Sequence, residues 1–353
     1  MIPVSSIEYV NVRIRGFHSR LYRRDTYEAL MEGDTLGTLT TFLLEDPLYR
    51  PDLEHALERL SEREGLERGV TDHFARCVNH VYRLSEGSMR ELFTIGLASF
   101  DLRNIRAVIL AHHRRLPFKD LRHVIIPCGT LTQDKMRAVY EAGKTADLLP
   151  NLPTCCPLVS KAVKQAVADA RENEPVVDTV NRLENYLYSY ILRRLEADND
   201  DVRALKHVYR YEVDLKNIVS ALKHVWRKTK TEAGMERYLR GGTLGESFLV
   251  ALAKVKNLDE ALEMIETTKY HEAVEKGVIY YAETGFLHEM ERFFEEVFIT
   301  RSQSFRRFQP FGIGPFIAYV WAQYAEMTNL RSIINGIAFK TGAGQIRKGL
   351  IYV

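Results

Sequence analysis

This sequence carries almost no net charge: 49 Lys and Arg stand against 47 Asp and Glu, a formal balance of +2. No global field therefore argues for nucleic acid or for an acidic membrane surface. There are only four cysteines, Cys77, Cys128, Cys155 and Cys156, with no paired spacing and no nearby His ligand set. Met1-Ile2-Pro3-Val4-Ser5-Ser6 lacks the basic and apolar regions of a signal peptide, so the cysteines point to a reducing cytoplasm. The vicinal pair Cys155-Cys156, enclosed by Pro150, Pro153 and Pro157, reads as a loop entering a helix, because neighbouring cysteines form only a strained disulfide. Long hydrophobic runs are also lacking. The best stretch, 308–325, has no charged residue but contains Gln309, Pro310, Gly312, Gly314, Pro315 and Gln323. Its apolar part is too short to cross a bilayer. It reads as a loop that enters a buried helix, and the composition as that of a soluble protein.

Recognisable catalytic signatures are absent too. Gly241-Gly242-Thr243-Leu244-Gly245-Glu246-Ser247 has no Lys where a phosphate loop needs one, and Thr341-Gly342-Ala343-Gly344 follows no strand pattern. The sequence contains no HExxH, CxxC pair, GxSxG elbow or kinase signature. His112-His113 cannot chelate one metal from a helix, because adjacent side chains point about 100° apart. No catalytic, cofactor-binding or metal-ligating residue is assigned.

What is present is a pattern that occurs three times. Asp101-Leu102-Arg103-Asn104-Ile105 returns as Asp214-Leu215-Lys216-Asn217-Ile218 and as Glu326-Met327-Thr328-Asn329-Leu330. The Asn residues are 113 and 112 positions apart. Each copy sits in an amphipathic helical pattern, with apolar residues at i, i+3 and i+7 forming one stripe: Leu102, Ile105 and Ile109; Leu215, Ile218 and Leu222; Met327, Leu330 and Ile334. An Asn beside such a stripe is costly to bury unless its amide is bonded, so it is read as a local clasp to a neighbouring backbone segment. A second marker keeps the register. Gly129-Thr130-Leu131 precedes Asn217 by 88 residues, Gly242-Thr243-Leu244 precedes Asn329 by 87, and Gly16, followed by Phe17-His18, precedes Asn104 by 88. Glu8-Tyr9-Val10-Asn11-Val12 fits the helix pattern loosely but out of register. Two markers at one period describe a threefold internal repeat, with units expected at 1–118, 119–230 and 231–353.

The fold expected is all-α. Strand-period alternation is confined to Val10-Val12-Ile14 and residues 124–126, and the absence of proline from 176 to 309 permits long helices. Residues 27–66 read as short helices broken by Gly33-Asp34, Pro47 and Pro51. Val180, Leu183, Leu187 and Tyr190 form a stripe, 196–201 an exposed acidic turn, and Asn257 with Glu260 a capping box. Arg13, Arg15, Arg20, Arg23 and Arg24 suit either an acidic partner or a solvated face, the second being the plainer reading. The aromatic run from Phe286 to Tyr324, interrupted by Arg301, Arg306 and Arg307, suits either single-stranded nucleic acid or core packing, and its helical spacing favours core. Arg13, Arg15, Arg301, Arg306 and Arg307 are retained as candidate partner-contact residues. A motif kept three times suits a scaffold better than an asymmetric active site, which needs a constellation that occurs once.

These markers resemble the C subunit of the archaeal and bacterial V-type (A-type) ATP synthases, the counterpart of the d subunit of the eukaryotic V-ATPase. The resemblance rests on Tyr9–Arg15, Pro127–Leu131, Tyr211–Ile218, Pro315–Val320, Glu326–Ile333 and Leu350–Val353, in that order and spacing. Thr328 departs from the family's usual Ile or Val, and Val219 from the Arg that the other two copies keep. The resemblance implies a funnel of three similar helical domains about a pseudo-threefold axis. It further implies a non-catalytic subunit on the cytoplasmic face of the membrane, between the central-stalk subunits and the proteolipid ring, transmitting torque for proton or sodium transport. No cofactor, nucleic acid or small-molecule substrate is implied. A helical scaffold of another assembly, including one that binds RNA near 301–324, and an all-α enzyme with a central site remain the alternatives.

Overall fold

The computed structural model describes residues 7–33, 35–129, 131–142, 157–170, 174–226, 238–275, 277 and 287–353. The expectations for Met1–Ser6, Asp34, Thr130, Pro150, Pro153, Cys155-Cys156 and Phe286 fall outside them. Among the described residues the chain is helical, with no strand. In order these are α1 (Ile7–His18), α2 (Arg24–Met31), α3 (Leu36–Glu45), α4 (Arg50–Leu57), α5 (Glu62–Leu84), α6 (Gly87–Gly96) and α7 (Ala98–His113). A short 3-10 turn (Phe118–His123) precedes α8 (Gln133–Ala142), α9 (Pro157–Ala168), α10 (Val176–Arg194) and α11 (Asp200–Trp226). The chain continues through α12 (Glu246–Ala253), α13 (Leu258–Glu266), α14 (Leu287–Phe308), α15 (Gly314–Ala338) and α16 (Ala343–Lys348).

Local chemistry explains several boundaries. Asn257 accepts from the Glu260 N–H at 2.8 Å and starts α13. Pro51 lies in the first turn of α4, where its missing N–H costs nothing, so it opens a helix there instead of breaking one. The alternation at Val10-Val12-Ile14 lies inside α1. Val10 and Ile14 are buried one turn apart while Val12 is exposed, so the helical period prevails over the period of two. Residues 309–313 are the loop before α15, and Pro315 sits in that helix's first turn.

α15 is buried on nearly every side, and its only charged residues are Glu326 and Arg331. A helix apolar all round belongs at the centre of a core or in a membrane. No helix of the described residues is long and apolar enough to cross a membrane. α15 instead packs against α14, α11, α5, α1, α2 and α3, so the end of the chain lies among its first helices. α11 packs against α14, α13, α12 and α10, and α7 against α10 and α8. One continuous buried cluster runs from Val10 to Ile351.

Candidate functional site

Each marker Asn is buried and closes the same pair of hydrogen bonds. Asn104 donates to the Ile126 carbonyl at 2.6 Å and accepts from the Ile126 N–H at 2.9 Å. Asn217 does so with Leu239, at 2.9 and 2.8 Å, and Asn329 with Ile351, both at 2.7 Å. The bonded residue lies 22 positions after the Asn in every case. The cause is complementarity: a primary amide offers one donor and one acceptor in the geometry of a peptide group. Buried, non-helical backbone at Ile126, Leu239 and Ile351 has no ladder partner to satisfy it.

The carboxylate one turn earlier holds a second segment. Asp101 accepts from the Leu131 N–H at 3.1 Å. Asp214 accepts from the N–H groups of Thr243 (2.8 Å) and Leu244 (3.0 Å) and from the Tyr270 hydroxyl (2.6 Å). This close approach is why glycine stands at 129 and 242. A Cβ there would lie 3.0 Å from Asp101 Oδ1 and 2.1 Å from Asp214 Oδ1, and Gly129 also has a φ of +106°. Gly16, the third glycine of the sequence pattern, has no such neighbour and lies exposed within α1. Glu326 is met instead by the Tyr22 N–H at 2.5 Å and the Tyr49 hydroxyl at 2.6 Å. Burial, the largest influence, raises the Glu326 pKa, with the hydrogen bonds from Tyr49 and Tyr22 pulling the other way.

The helices that carry the three clasps, α7, α11 and α15, also line a cavity of about 630 Å3 together with α10 and α14. Five cations (Arg103, Arg106, Lys216, Lys223, Arg292) and three carboxylates (Glu184, Glu212, Glu295) face it. Glu184 Oε1 takes the Lys216 ammonium at 2.6 Å, and Arg106 stands 3.7 Å from its other oxygen. Burial pushes the Glu184 pKa up, yet Lys216 and Arg106 together hold it below the usual range. Glu212 has a raised pKa, chiefly through burial, although the Tyr188 hydroxyl donates to it at 2.7 Å. Arg103 donates to the Tyr324 hydroxyl at 2.5 Å, and that hydroxyl donates to Glu295 at 2.9 Å.

None of these cavity residues was singled out from the sequence, although a signal was there. Arg103 and Lys216 both directly precede a clasp Asn, and Arg106 and Val219 both follow it by two. On a helix those positions share a face turned away from the Asn. The candidate partner residues fall elsewhere. The end of α1 meets the end of α14, where Arg15 donates to the Pro310 carbonyl at 2.7 Å and stacks over exposed Phe311 at 5.7 Å. Arg306 lies 3.2 Å from His18 Nδ1, and Arg13 covers Phe17. Arg301 instead covers Tyr211, and exposed Arg307 follows Arg306 at the end of α14. The structure thus brings Arg15 and Arg306 to one face and sets Arg301 apart from them by contact. The aromatics Phe293, Phe294, Phe298, Phe316, Tyr319, Trp321 and Tyr324 are core, with Phe308 and Phe311 exposed. Cys77 has one His beside it, with His73 Nε2 3.4 Å from its sulfur.

Among the described residues no group of His, Cys, Asp and Glu could hold a metal ion. Fold and site together define a helical scaffold, its core helices pinned to non-helical backbone around a charged cavity. Residues 10–349 match the family model for the ATP synthase (C/AC39) subunit, and the chain belongs to that family. It is similar to the C subunit of the A-type ATP synthase of Methanocaldococcus jannaschii, 21% identical over 99% of this chain and 88% of the relative. The same subunit of Methanosphaera stadtmanae is 23% identical over 92% and 82%. That of Pyrococcus horikoshii is 25% identical over 96% and 89%. The protein is therefore a subunit of a V/A-type rotary ATP synthase.

Proposed function

We propose that this chain is a non-catalytic central-stalk subunit. It joins the rotating shaft to the membrane proteolipid ring at the cytoplasmic face and passes torque between them to drive proton or sodium transport. The observation that carries the reading is that three helices with identical buried Asn clasps line one charged cavity. Such a body suits a coupling more than a catalyst: directional bonds hold its helices in register, and the cavity offers polar contacts to a shaft. Arg13, Arg15, Arg306 and Arg307, with exposed Phe308 and Phe311, form the partner face on this reading, and Arg301 a separate contact.

The same bonds support three similar units arranged as a funnel, with one refinement of the boundaries 1–118, 119–230 and 231–353. Asp214 binds Thr243 and Tyr270, which are 27 positions apart, and Glu326 binds Tyr22 and Tyr49, also 27 apart. The third unit is then completed by N-terminal residues, closing the ring of repeats.

The test is a pull-down of the tagged protein from gently solubilised native membranes, with mass spectrometry of what accompanies it. Stalk subunits and proteolipid in fixed ratio are expected. Recovery of the protein alone, or with RNA, would remove the assigned role. The burial of most of the aromatic run already leaves the RNA alternative with few stacking surfaces.

A further inference from the structure

Away from the central cavity, a smaller one of about 190 Å3 lies where α5 and α15 meet the end of α1 and the turn before α4. Cys77, half-buried on α5, opens into it. One helical turn earlier stands His73, whose Nε2 is 3.4 Å from the Cys77 sulfur. On its other side, His73 Nδ1 lies 3.4 Å from Asp52 Oδ2 and 3.1 Å from the Arg76 guanidinium, which is itself paired with Asp52 at 2.8 Å. The Tyr49 ring stacks on the imidazole at 3.9 Å and fixes its plane. Burial, the largest influence, opposes charge on His73, but hydrogen bonds with Asp52 and Cys77 outweigh it, and its pKa is pushed up to about 9. From α15, Tyr319, Gln323 and Glu326 form the facing wall. Arg20, Arg76 and His80 line the rest of the pocket.

We propose that Cys77 is a reactive thiol, a site of mixed-disulfide formation with small disulfides that carry carboxylates. A thiol, an imidazolium within reach of it and a carboxylate holding that imidazolium are the parts of an activated nucleophile. The thiolate is the attacking species. His73 carries its proton at neutral pH, so Sγ attacks one sulfur of the incoming disulfide as the thiol proton is lost to solvent, and the imidazolium beside it stabilises the thiolate that forms. The new Sγ–S bond forms as the old S–S bond breaks, and the other sulfur leaves as a thiolate that takes a proton from solvent. Cys77 is oxidised and the departing sulfur reduced, so no further oxidant is needed. The cations lining the pocket supply the preference for anionic reagents.

The experiment labels the full-length chain at neutral pH with dithiobis-nitrobenzoate, which carries carboxylates, and with neutral hydroxyethyl disulfide. Peptide mass spectrometry assigns the rate to each cysteine, and the same reactions in urea normalise intrinsic reagent reactivity. Cys77 is expected to react with the anionic reagent faster in the folded chain than in urea, while fully buried Cys128 is protected. The normalised ratio of anionic to neutral reagent should exceed unity and fall with added salt. In His73→Gln the folded-state rate should drop at least about tenfold, with the urea rate unchanged. A folded-state rate at Cys77 no higher than in urea overturns the proposal, and this readout needs only the wild-type protein. A folded His73→Gln variant that keeps the wild-type rate also overturns it.

Discussion

Replacing Asn104 by Leu tests the clasp at a site where both partners are buried. Asn104 and Ile126 are 0% and 3% exposed, so neither half of the Ile126 peptide pairing can turn to water in place. The substitution leaves the Ile126 N–H unpaired, at about 1–3 kcal/mol, while the Ile126 carbonyl keeps the bond from the Cys128 N–H at 2.7 Å. Against this, the leucine side chain returns about 1–2 kcal/mol of apolar burial. The net expectation is a loss of about 1 kcal/mol, read as a lower urea midpoint followed by far-ultraviolet circular dichroism. The same substitution at Asn217 and Asn329 should move the midpoint in the same direction.

Asn104→Asp separates hydrogen bonding from volume, because it keeps the shape and replaces the donor with an acceptor. A carboxylate oxygen would then face the Ile126 carbonyl where the amide now donates at 2.6 Å, with buried Asp101 one turn away. Both neighbours disfavour the charged form, so the introduced group titrates above the usual carboxylate range. Its destabilisation is therefore smallest at low pH, where the protonated acid can donate to the carbonyl, and grows as pH rises through that raised value. A urea midpoint for Asn104→Asp equal to wild type at pH 7 refutes the clasp reasoning.

Gly242→Ala sets a Cβ 2.1 Å from Asp214 Oδ1 and should cost about 1–3 kcal/mol in chemical denaturation, whereas Gly16→Ala, in an open helical position, should be neutral or stabilising by up to about 1 kcal/mol. His73 has a pKa raised from 6.5 to about 9, so its contribution is complete below pH 6.5 and is lost as pH rises toward 9; about 3 kcal/mol should disappear across that window and the slope should vanish in His73→Gln. Glu184 has a lowered pKa, so its contribution is present above the ordinary Glu range and lost as pH falls through the folded value. Glu184→Gln should remove that acid-side slope and cost about 1–2 kcal/mol at pH 7, discounted because Lys216 and Arg106 are partly exposed. Equal acid unfolding midpoints for that variant and the wild type would contradict it.

What sequence carried well was whatever depends on period and local chemistry. The stripes of α7, α11 and α15, the cap at Asn257 and the loop before Pro315 all follow from spacing within one or two turns. The Asn residues were legible as polar groups needing a partner, but the partner, 22 residues on, was not, since no local rule sets that reach. Gly16 shows the opposite failure: a register match without the close approach that makes glycine necessary at 129 and 242. The cavity charges escaped notice because Arg103, Arg106, Lys216 and Glu184 look like an ordinary solvated surface until three helices enclose them. The His73–Cys77 pair was visible as an i, i+4 spacing, yet only Asp52, brought in by α4, gives that spacing chemical meaning.

The clasps also explain why a scaffold under load would keep polar groups in its core at all. Apolar surfaces are non-directional and helices packed through them can slide by small amounts at little cost. A bidentate amide–peptide pair is directional: a shift of one residue in the bonded segment breaks both bonds and strands the buried amide. Placed at Asn104, Asn217 and Asn329, such pairs set the register of each long helix against backbone outside it. Glu326 then ties α15 to Tyr22 and Tyr49, so the last long helix cannot move independently of the first short ones. Compliance is thereby pushed out of the core and into the exposed ends of helices, such as the α1–α14 face of Arg15, Arg306 and Phe311. On the proposed reading that distribution is what a torque-bearing coupling requires: a stiff body with adaptable contacts only where it meets its partners.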